Sequence, residues 1–307
     1  MLCSPTIFLL ESSRWRDYAL LDSGEGMKLE RFGPYTFVRP EVQAMWPRTL
    51  PAKEWEGADA FFQPGGEESG GHWVFRRKAA ERWEMRYPLT PIPSPKGRGE
   101  LRFWVMTTPG RHLGVFPECA ANWDWCADLI HQAKRPVKVL NLFGYTGLAT
   151  LACAAAGAQV THVDASKKSV AWARENQVLS GLADKPIRWI VDDALKFVQR
   201  EARRGNRYEG ILLDPPKFGR GPKGEVWEVY KSLPKLLGAC QEVLSEQPLF
   251  VLLTVYAVQA SALHLGQALV AMQSGYNGGK VEYGELVTRE RSAGRWLSQA
   301  VFARWGI

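Results

Sequence analysis

Val137 to Leu148 reads VKVLNLFGYTGL, and the rest of the chain is organised around it. Val137, Val139, Leu140 and Leu142 make a short apolar run, long enough for a strand buried on both faces and too short for a helix. Phe143-Gly144-Tyr145-Thr146-Gly147 supplies two glycines for a tight bend with close backbone approach. Leu148 to Ala156 then reads as an alanine-rich helix ended by Gly157. Strand, glycine turn and helix in this order open a nucleotide-binding α/β fold.

A dinucleotide fold prefers G-x-G-x-x-G, with glycines fitted to a pyrophosphate. This chain offers G-Y-T-G, and its next strand, Gln159 to Val163, ends in Asp164, twenty residues after Gly144. An acid there can accept both ribose hydroxyls. The geometry suits any adenosine cofactor, NAD or S-adenosylmethionine, and the incomplete glycine pattern favours the second.

The chain has 307 residues, room for two domains. With 46% hydrophobic and 23% charged residues it has the composition of an ordinary globular protein. No apolar run approaches a bilayer span, and the opening MLCSPTIFLLESSR carries no basic segment before its apolar patch, so the cytoplasm is expected. The five cysteines, Cys3, Cys119, Cys126, Cys153 and Cys240, include no C-x-x-C pair, which argues against a disulfide framework and against a metal site. The net charge of +7 permits an acidic partner such as RNA without requiring one.

Residues 1–115 lack helical periodicity. Short β-rich runs recur instead at Tyr18 to Leu21, Tyr35 to Val38, His72 to Arg77, Arg82 to Tyr87 and Leu101 to Thr107, which predicts a small antiparallel sheet or partial barrel. Its tryptophans could stack on bases, or fill a core, the commoner role of aromatics in short strands. Pro88 to Glu100, with four prolines, reads as an extended exposed loop.

From about Phe116 the pattern alternates. Asn122 to Ala133, Lys167 to Ser180, Ala194 to Arg204, Val226 to Leu244 and Ala260 to Met272 read as helices. Ile187 to Val191, Tyr208 to Leu213 and Leu249 to Val255 read as strands, and Lys280 to Thr288 and Trp296 to Arg304 as a closing hairpin. The expected fold class is α/β: a Rossmann-like seven-stranded sheet over 116–307, preceded by the small β domain.

Chemistry-bearing residues collect at the strand ends. Asp192-Asp193 follows the third strand, where an acid can take the exocyclic amine of adenine or cap the next helix. Ile211 to Gly221, ILLDPPKFGRG, runs a buried strand into Asp214-Pro215-Pro216, whose fixed φ values hold the carboxylate and its neighbouring carbonyls in a stiff display. Such an edge can hold an acceptor base against a methyl donor by positioning. The basic, glycine-rich loop after it, from Lys217 through Phe218, Arg220 and Lys223, can contact phosphate and stack on a base, or be only a solvated loop.

At these residues the chain resembles a known family. NLFGYTG, Asp164, Asp192-Asp193 and DPPKFGRG together look like the bacterial class I methyltransferases related to the large-subunit ribosomal RNA base methyltransferases, including the cytosine carbon-5 enzymes. The resemblance runs from about Arg111 to the C-terminus, with GVFPE at Gly114 resembling the segment those proteins place before the first strand. It implies an S-adenosylmethionine-dependent methyltransferase acting most naturally on an RNA base. The donor would be bound by Asn141, Phe143, Gly144, Tyr145, Thr146, Gly147, Asp164, Ala165, Asp193, Ala194 and Asp214. Asp214, Pro215, Pro216 and Lys217 would position the acceptor, with Phe218, Arg220 and Lys223 binding substrate.

Two departures bear on the acceptor. The cytosine carbon-5 members carry a cysteine just after the fifth strand, where this chain reads Leu253-Thr254-Val255-Tyr256. Their N-terminal RNA-binding module is not recognisable in residues 1–110. Direct transfer to an already nucleophilic atom is therefore expected, without a covalent enzyme-RNA intermediate. A protein or small-molecule acceptor, and a non-catalytic RNA-binding role for the same fold, are the other readings.

Overall fold

The computed structural model describes residues 6–66, 70–89, 99–256, 260–273, 275–276 and 278–307. Two compact units emerge, and they are not sequential. The larger holds residues up to Leu10, Cys119–Leu286 and Gln299–Ile307; the smaller holds Glu11–Glu118 and Val287–Ser298. These units differ from the expected division at residue 115 at both chain ends, in β1 (Ile7–Glu11), which joins the large sheet, and in the tip of the closing hairpin. That tip is held in the small unit by side chains: Ser23 Oγ donates to Glu290 at 2.5 Å and Ser292 Oγ to Asp22 at 2.5 Å.

In the small unit, β2 (Tyr18–Gly24), β3 (Met27–Phe32) and β4 (Tyr35–Pro40) form an antiparallel meander. The short helix α1 (Ala52–Glu56) carries the chain to β5 (Ala60–Pro64), which pairs parallel to β4 and antiparallel to β6 (Gly71–Phe75). A separate ribbon pairs β7 (Trp83–Pro88) with β8 (Glu100–Val105). The prolines of the expected loop at 90–98 lie outside the described residues. Periodicity missed β3 because its inward face carries charge. Glu30 is fully buried, taking a two-pronged guanidinium bond from Arg39 at 2.7 and 2.9 Å and the Tyr18 hydroxyl at 2.9 Å. Paired in this way, a carboxylate can occupy an interior position that the alternation rule reserves for apolar residues.

Three tryptophans of this unit, Trp15, Trp55 and Trp83, are buried as core, and their indole N–H groups donate to Pro117 O, Asp22 and Phe32 O.

The large unit is built on an eight-stranded sheet, one strand more than expected because β1 adds an edge. Its further elements are α2 (Ala120–Ala133), β9 (Lys138–Leu142), α3 (Leu148–Ala155), β10 (Gln159–Asp164), α4 (Lys167–Leu179), β11 (Ile187–Val191), α5 (Ala194–Arg203), β12 (Gly210–Leu213), β13 (Phe218–Arg220), β14 (Val226–Glu228), α6 (Val229–Val243), β15 (Phe250–Val255), α7 (Ala262–Met272), β16 (Lys280–Arg289) and β17 (Trp296–Gly306). The strand order is β1-β16-β17-β15-β12-β9-β10-β11, parallel from β15 to β11, with β17 antiparallel to β15. Alternate residues of β9 serve opposite cores: Leu140 and Leu142 face α5, α6 and α7, while Val139 packs with α2 and α3. The chain leaves β9 toward β10 and β11 and then returns to β12 on its other side. That reversal is the switch point where such sheets bind ligands. No described helix is long and apolar enough to cross a membrane.

Candidate functional site

The parallel register sets the site. Leu142 lies opposite Val163 on one side and Leu213 on the other, and Leu213 opposite Leu253. Phe143, Asp164, Asp214 and Thr254 therefore leave the sheet at one level, and the pairing of Asp164 with Val191 places Asp192 and Asp193 beside them.

The turn 143–147 is locked from below. Phe143 and Tyr145 take left-handed φ values of 58° and 49°, and Gly147, the N-cap of α3, a φ of 85°. Two non-glycine residues in that region each cost on the order of 1 kcal/mol, so the surroundings must fix them. Gly144 N donates to Val163 O, Tyr145 N to Asp164 Oδ2 at 2.9 Å, Gly147 N to Gly144 O, and Asn176 Nδ2 holds the carbonyl of the buried Thr146 at 2.9 Å. Gly144 is required for contact, since a Cβ there would sit 2.3 Å from the imidazole of His162. At Gly147 a Cβ would lie 2.8 Å from that of Ala173.

His162 was not anticipated as part of the site. It is fully buried on β10, its Nδ1 is 2.9 Å from Thr150 Oγ1, and Thr150 in turn accepts from Asn141 Nδ2 at 2.8 Å. Burial pushes the imidazole pKa down to about 3, so the ring is neutral at physiological pH. Asn141, expected among the donor-binding residues, is buried in the network beneath the turn. A polar His inside a buried strand, two residues before the acid Asp164, was the available signal.

Asp164 accepts from Tyr145 N through Oδ2 and from Ser166 N at 2.8 Å through Oδ1. Its burial raises the carboxyl pKa despite these bonds. Tyr145 is pushed up to about 12 by burial and by Asp164. Ala165 follows, half-buried, and Ala194 is the buried first residue of α5. Asp193 caps α5, with Oδ1 accepting from Lys196 N at 2.9 Å. Its Oδ2 has no hydrogen-bond partner among the described residues. Asp192 is occupied by the guanidinium of Arg200.

Beyond Asp214 the structure departs from the expected loop and helix. Residues 218–228 form a hairpin, β13 pairing antiparallel with β14, and α6 begins only at Val229. Two short runs around Gly221 to Gly224 are a hairpin signal; Val226-Trp227 had been read as the first turn of a helix. Trp227 is the missing tie. Its buried indole donates to Pro216 O at 2.7 Å, and its ring packs on Phe143 at 4.8 Å between centroids. The Asp-Pro-Pro edge and the glycine turn are thus braced through one side chain. Lys217 Nζ sits 5.4 Å over the Phe218 ring, which is 59% exposed. Arg220 and Lys223 are exposed, and Glu225, held down to about 2 by its bond from Lys196, pins the tip by accepting from Lys223 N.

A carboxylate-lined edge suits a ligand that presents hydroxyls, amines and positive charge. It does not suit a pyrophosphate, because the N–H groups of Gly144, Tyr145 and Gly147 are all consumed within the protein. The comparisons agree. A crystal structure of the SAM-dependent methyltransferase from Agrobacterium tumefaciens is 46% identical, covers 100% of this chain and 97% of its own, and superposes with a TM-score of 0.88. This chain belongs to the SAM-dependent methyltransferases. A Streptococcus mutans structure, 18% identical with a TM-score of 0.68 over 96% of this chain and 76% of its own, shares the methyltransferase's fold. The ribosomal RNA large subunit methyltransferase K/L of Shewanella frigidimarina is 34% identical over 119 residues, 38% of this chain but only 16% of that protein. No family model matches.

Among the described residues no cysteine follows the fifth strand where the resemblance places the cytosine thiolate. Thr254, next to last in β15 before Val255, has its hydroxyl 3.5 Å from Asn122 Nδ2. Cys126 is sealed in the core with Cys153, its thiol pKa pushed up by burial and then by that neighbour, and Cys119, Cys153 and Cys240 are also buried. Cys3 lies outside the described residues.

Proposed function

We propose that the methyltransferase acts on a base of RNA, ribosomal RNA foremost, in the cytoplasm. The observation that carries the reading is the Trp227 brace, which sets the hairpin bearing Phe218, Arg220 and Lys223 against the same residue, Phe143, that opens the donor turn. Relatives named for ribosomal RNA support the substrate class.

S-adenosylmethionine, when bound, supplies the electrophilic methyl group. Asp164 takes the ribose hydroxyls by charge-assisted hydrogen bonds. Asp193 offers Oδ2 to the adenine amine while its other oxygen keeps α5 capped. Asp214 and the carbonyls of the stiff proline pair orient the acceptor, and Lys217 stays beside Phe218 at the mouth. Catalysis here is by in-line placement, so few proton-transfer groups are needed. Phe218 stacks on a flanking base and the two exposed cations meet phosphate. With every described cysteine buried, the methyl passes directly to a nucleophilic atom of the base.

The test is to incubate the protein with radiolabelled donor and separate RNA, protein and metabolite fractions. Label is expected in RNA; label confined to another fraction refutes the substrate class. RNA containing 5-fluorocytidine traps a thiolate adduct where one forms, and a stable donor-dependent adduct lost in Cys119→Ser or Cys126→Ser would restore the cytosine mechanism.

A further inference from the structure

Where α5 packs against α6, the two helices leave an open groove of about 820 Å3 lined by Arg203, Arg207, Lys235, Gly238 and Glu242. Its cations differ from those around it. In the arginine cluster at 200–207, Arg200 is spent on Asp192 and Arg204 on Glu201; on α6, Lys231 is spent on Glu228. Arg203, Arg207 and Lys235, the three that line the groove, are exposed and make no ion pair among the described residues. One carboxylate, Glu242, faces them. A cation in the last turn of a helix is favoured by the macrodipole, which accounts for Arg203. It does not account for Lys235 in the middle of α6 or for Arg207 past the end of α5.

The shape narrows the ligand. A Cβ added at Gly238 would meet nothing within 4 Å, so the groove is open over the helix backbone. Arg207 also lines a neighbouring groove of about 400 Å3 with Lys138, where Arg188 is ion-paired to Glu201 at 3.3 Å. Arg203, Arg207, Lys235 and Lys138 therefore form a track rather than a nest for one phosphate, and among the described residues no aromatic ring lines the α5–α6 groove to stack on a base. Arg203 stands about 15 Å along α5 from Asp193 at the donor edge.

We propose that the α5–α6 groove is a second RNA site that holds phosphodiester backbone without reading sequence, at a distance from the acceptor base. This rests on the RNA reading given above and extends it to a separate surface.

The experiment measures binding of a fluorescein-labelled oligouridylate by anisotropy from about 50 to 200 mM salt, on the full chain with S-adenosylhomocysteine present. Neutralising Arg203→Gln, Arg207→Gln and Lys235→Gln together should flatten the log–log salt slope by about 2, since each phosphate contact on a single strand contributes about 0.7. Affinity for S-adenosylhomocysteine and the melting temperature should stay as in the wild type. Arg203→Lys with Arg207→Lys keeps the charge and should keep the slope, which separates charge from any damage to the helices. An unchanged slope in the Gln variant, with a flattened slope on neutralising Lys217, Arg220 and Lys223, overturns the groove and leaves the RNA reading standing. A wild type that neither binds the oligonucleotide nor labels RNA overturns both. Equal competition by polyglutamate overturns the assignment to RNA and makes the groove a site for acidic protein.

Discussion

The glycine turn and the hairpin after Asp-Pro-Pro sit at the same sheet edge, yet they are held by different means. The turn at 143–147 is fixed by three groups on two neighbouring elements, β10 and α4: the His162 ring beneath Gly144, Asp164 on Tyr145 N, and Asn176 on the Thr146 carbonyl. The hairpin 218–228 has its tip pinned by Glu225 and one buried anchor, Trp227. One cofactor needs a single rigid cradle. An acceptor base in a larger RNA needs a surface that adjusts as it docks, and elements with few buried contacts supply it.

Gly144→Ala should break this contrast most severely. Its Cβ would lie 2.3 Å from a ring that has no room to move, and overpacking of that kind costs about 1 to 3 kcal/mol. S-adenosylhomocysteine affinity, read by calorimetry, should fall by about one hundredfold, from loss of the turn geometry. Adding His162→Ala should recover part of it; no recovery would mean that the turn is set by something other than this contact.

Asp164→Ala should weaken S-adenosylhomocysteine at least about tenfold, the worth of charge-assisted bonds of about 1.5 to 3 kcal/mol, while the fold persists. Burial raises the Asp164 pKa in the free protein, and a ligand that donates hydrogen bonds to the carboxylate favours its charged form. Affinity should therefore drop as pH falls through a value above the ordinary carboxylate range, and Asp164→Asn should abolish that dependence.

Trp227→Phe keeps a ring against Phe143 and removes the donor to Pro216 O. The rate of methyl transfer to RNA should fall by about tenfold, the equivalent of one hydrogen bond of about 1 to 1.5 kcal/mol, with donor affinity unchanged. Equal losses in both would place Trp227 with the donor turn.

The effect that is smallest near neutral pH, and grows only with acid, concerns His162. Because the His162 pKa drops from 6.5 to about 3 on folding, the unfolded chain binds the extra proton first. Its contribution is full above pH 6.5 and is lost as pH falls toward 3, with a slope of about 1.4 kcal/mol per pH unit. In His162→Gln the pH dependence of the urea midpoint should be shallower over this window.

The strand, turn and helix at 137–156 and the Asp-Pro-Pro edge were legible because periodicity and proline chemistry are local. What escaped depends on partners distant in sequence. The role of Glu30 in β3 needs Arg39, that of Gly144 needs His162, and β1 needs a strand made some 270 residues later. Trp227 was visible as an aromatic but not as a brace, since its acceptor is a backbone carbonyl. Of the two readings given for Asp192-Asp193, the helix cap is observed, at Asp193.

The pairing of β1 with β16 also has a kinetic meaning. The first described strand pairs with one made some 270 residues later, and the small unit's main segment lies wholly between them. Contacts so far apart in sequence form late, after the loop that joins them is closed. During synthesis the parallel strands from β9 to β15 can assemble, but β1 stays without its neighbour until the residues of β16 emerge. The order of translation thus leaves the pairing of β1 to a late step, and the open strand edges before it are prone to aggregate.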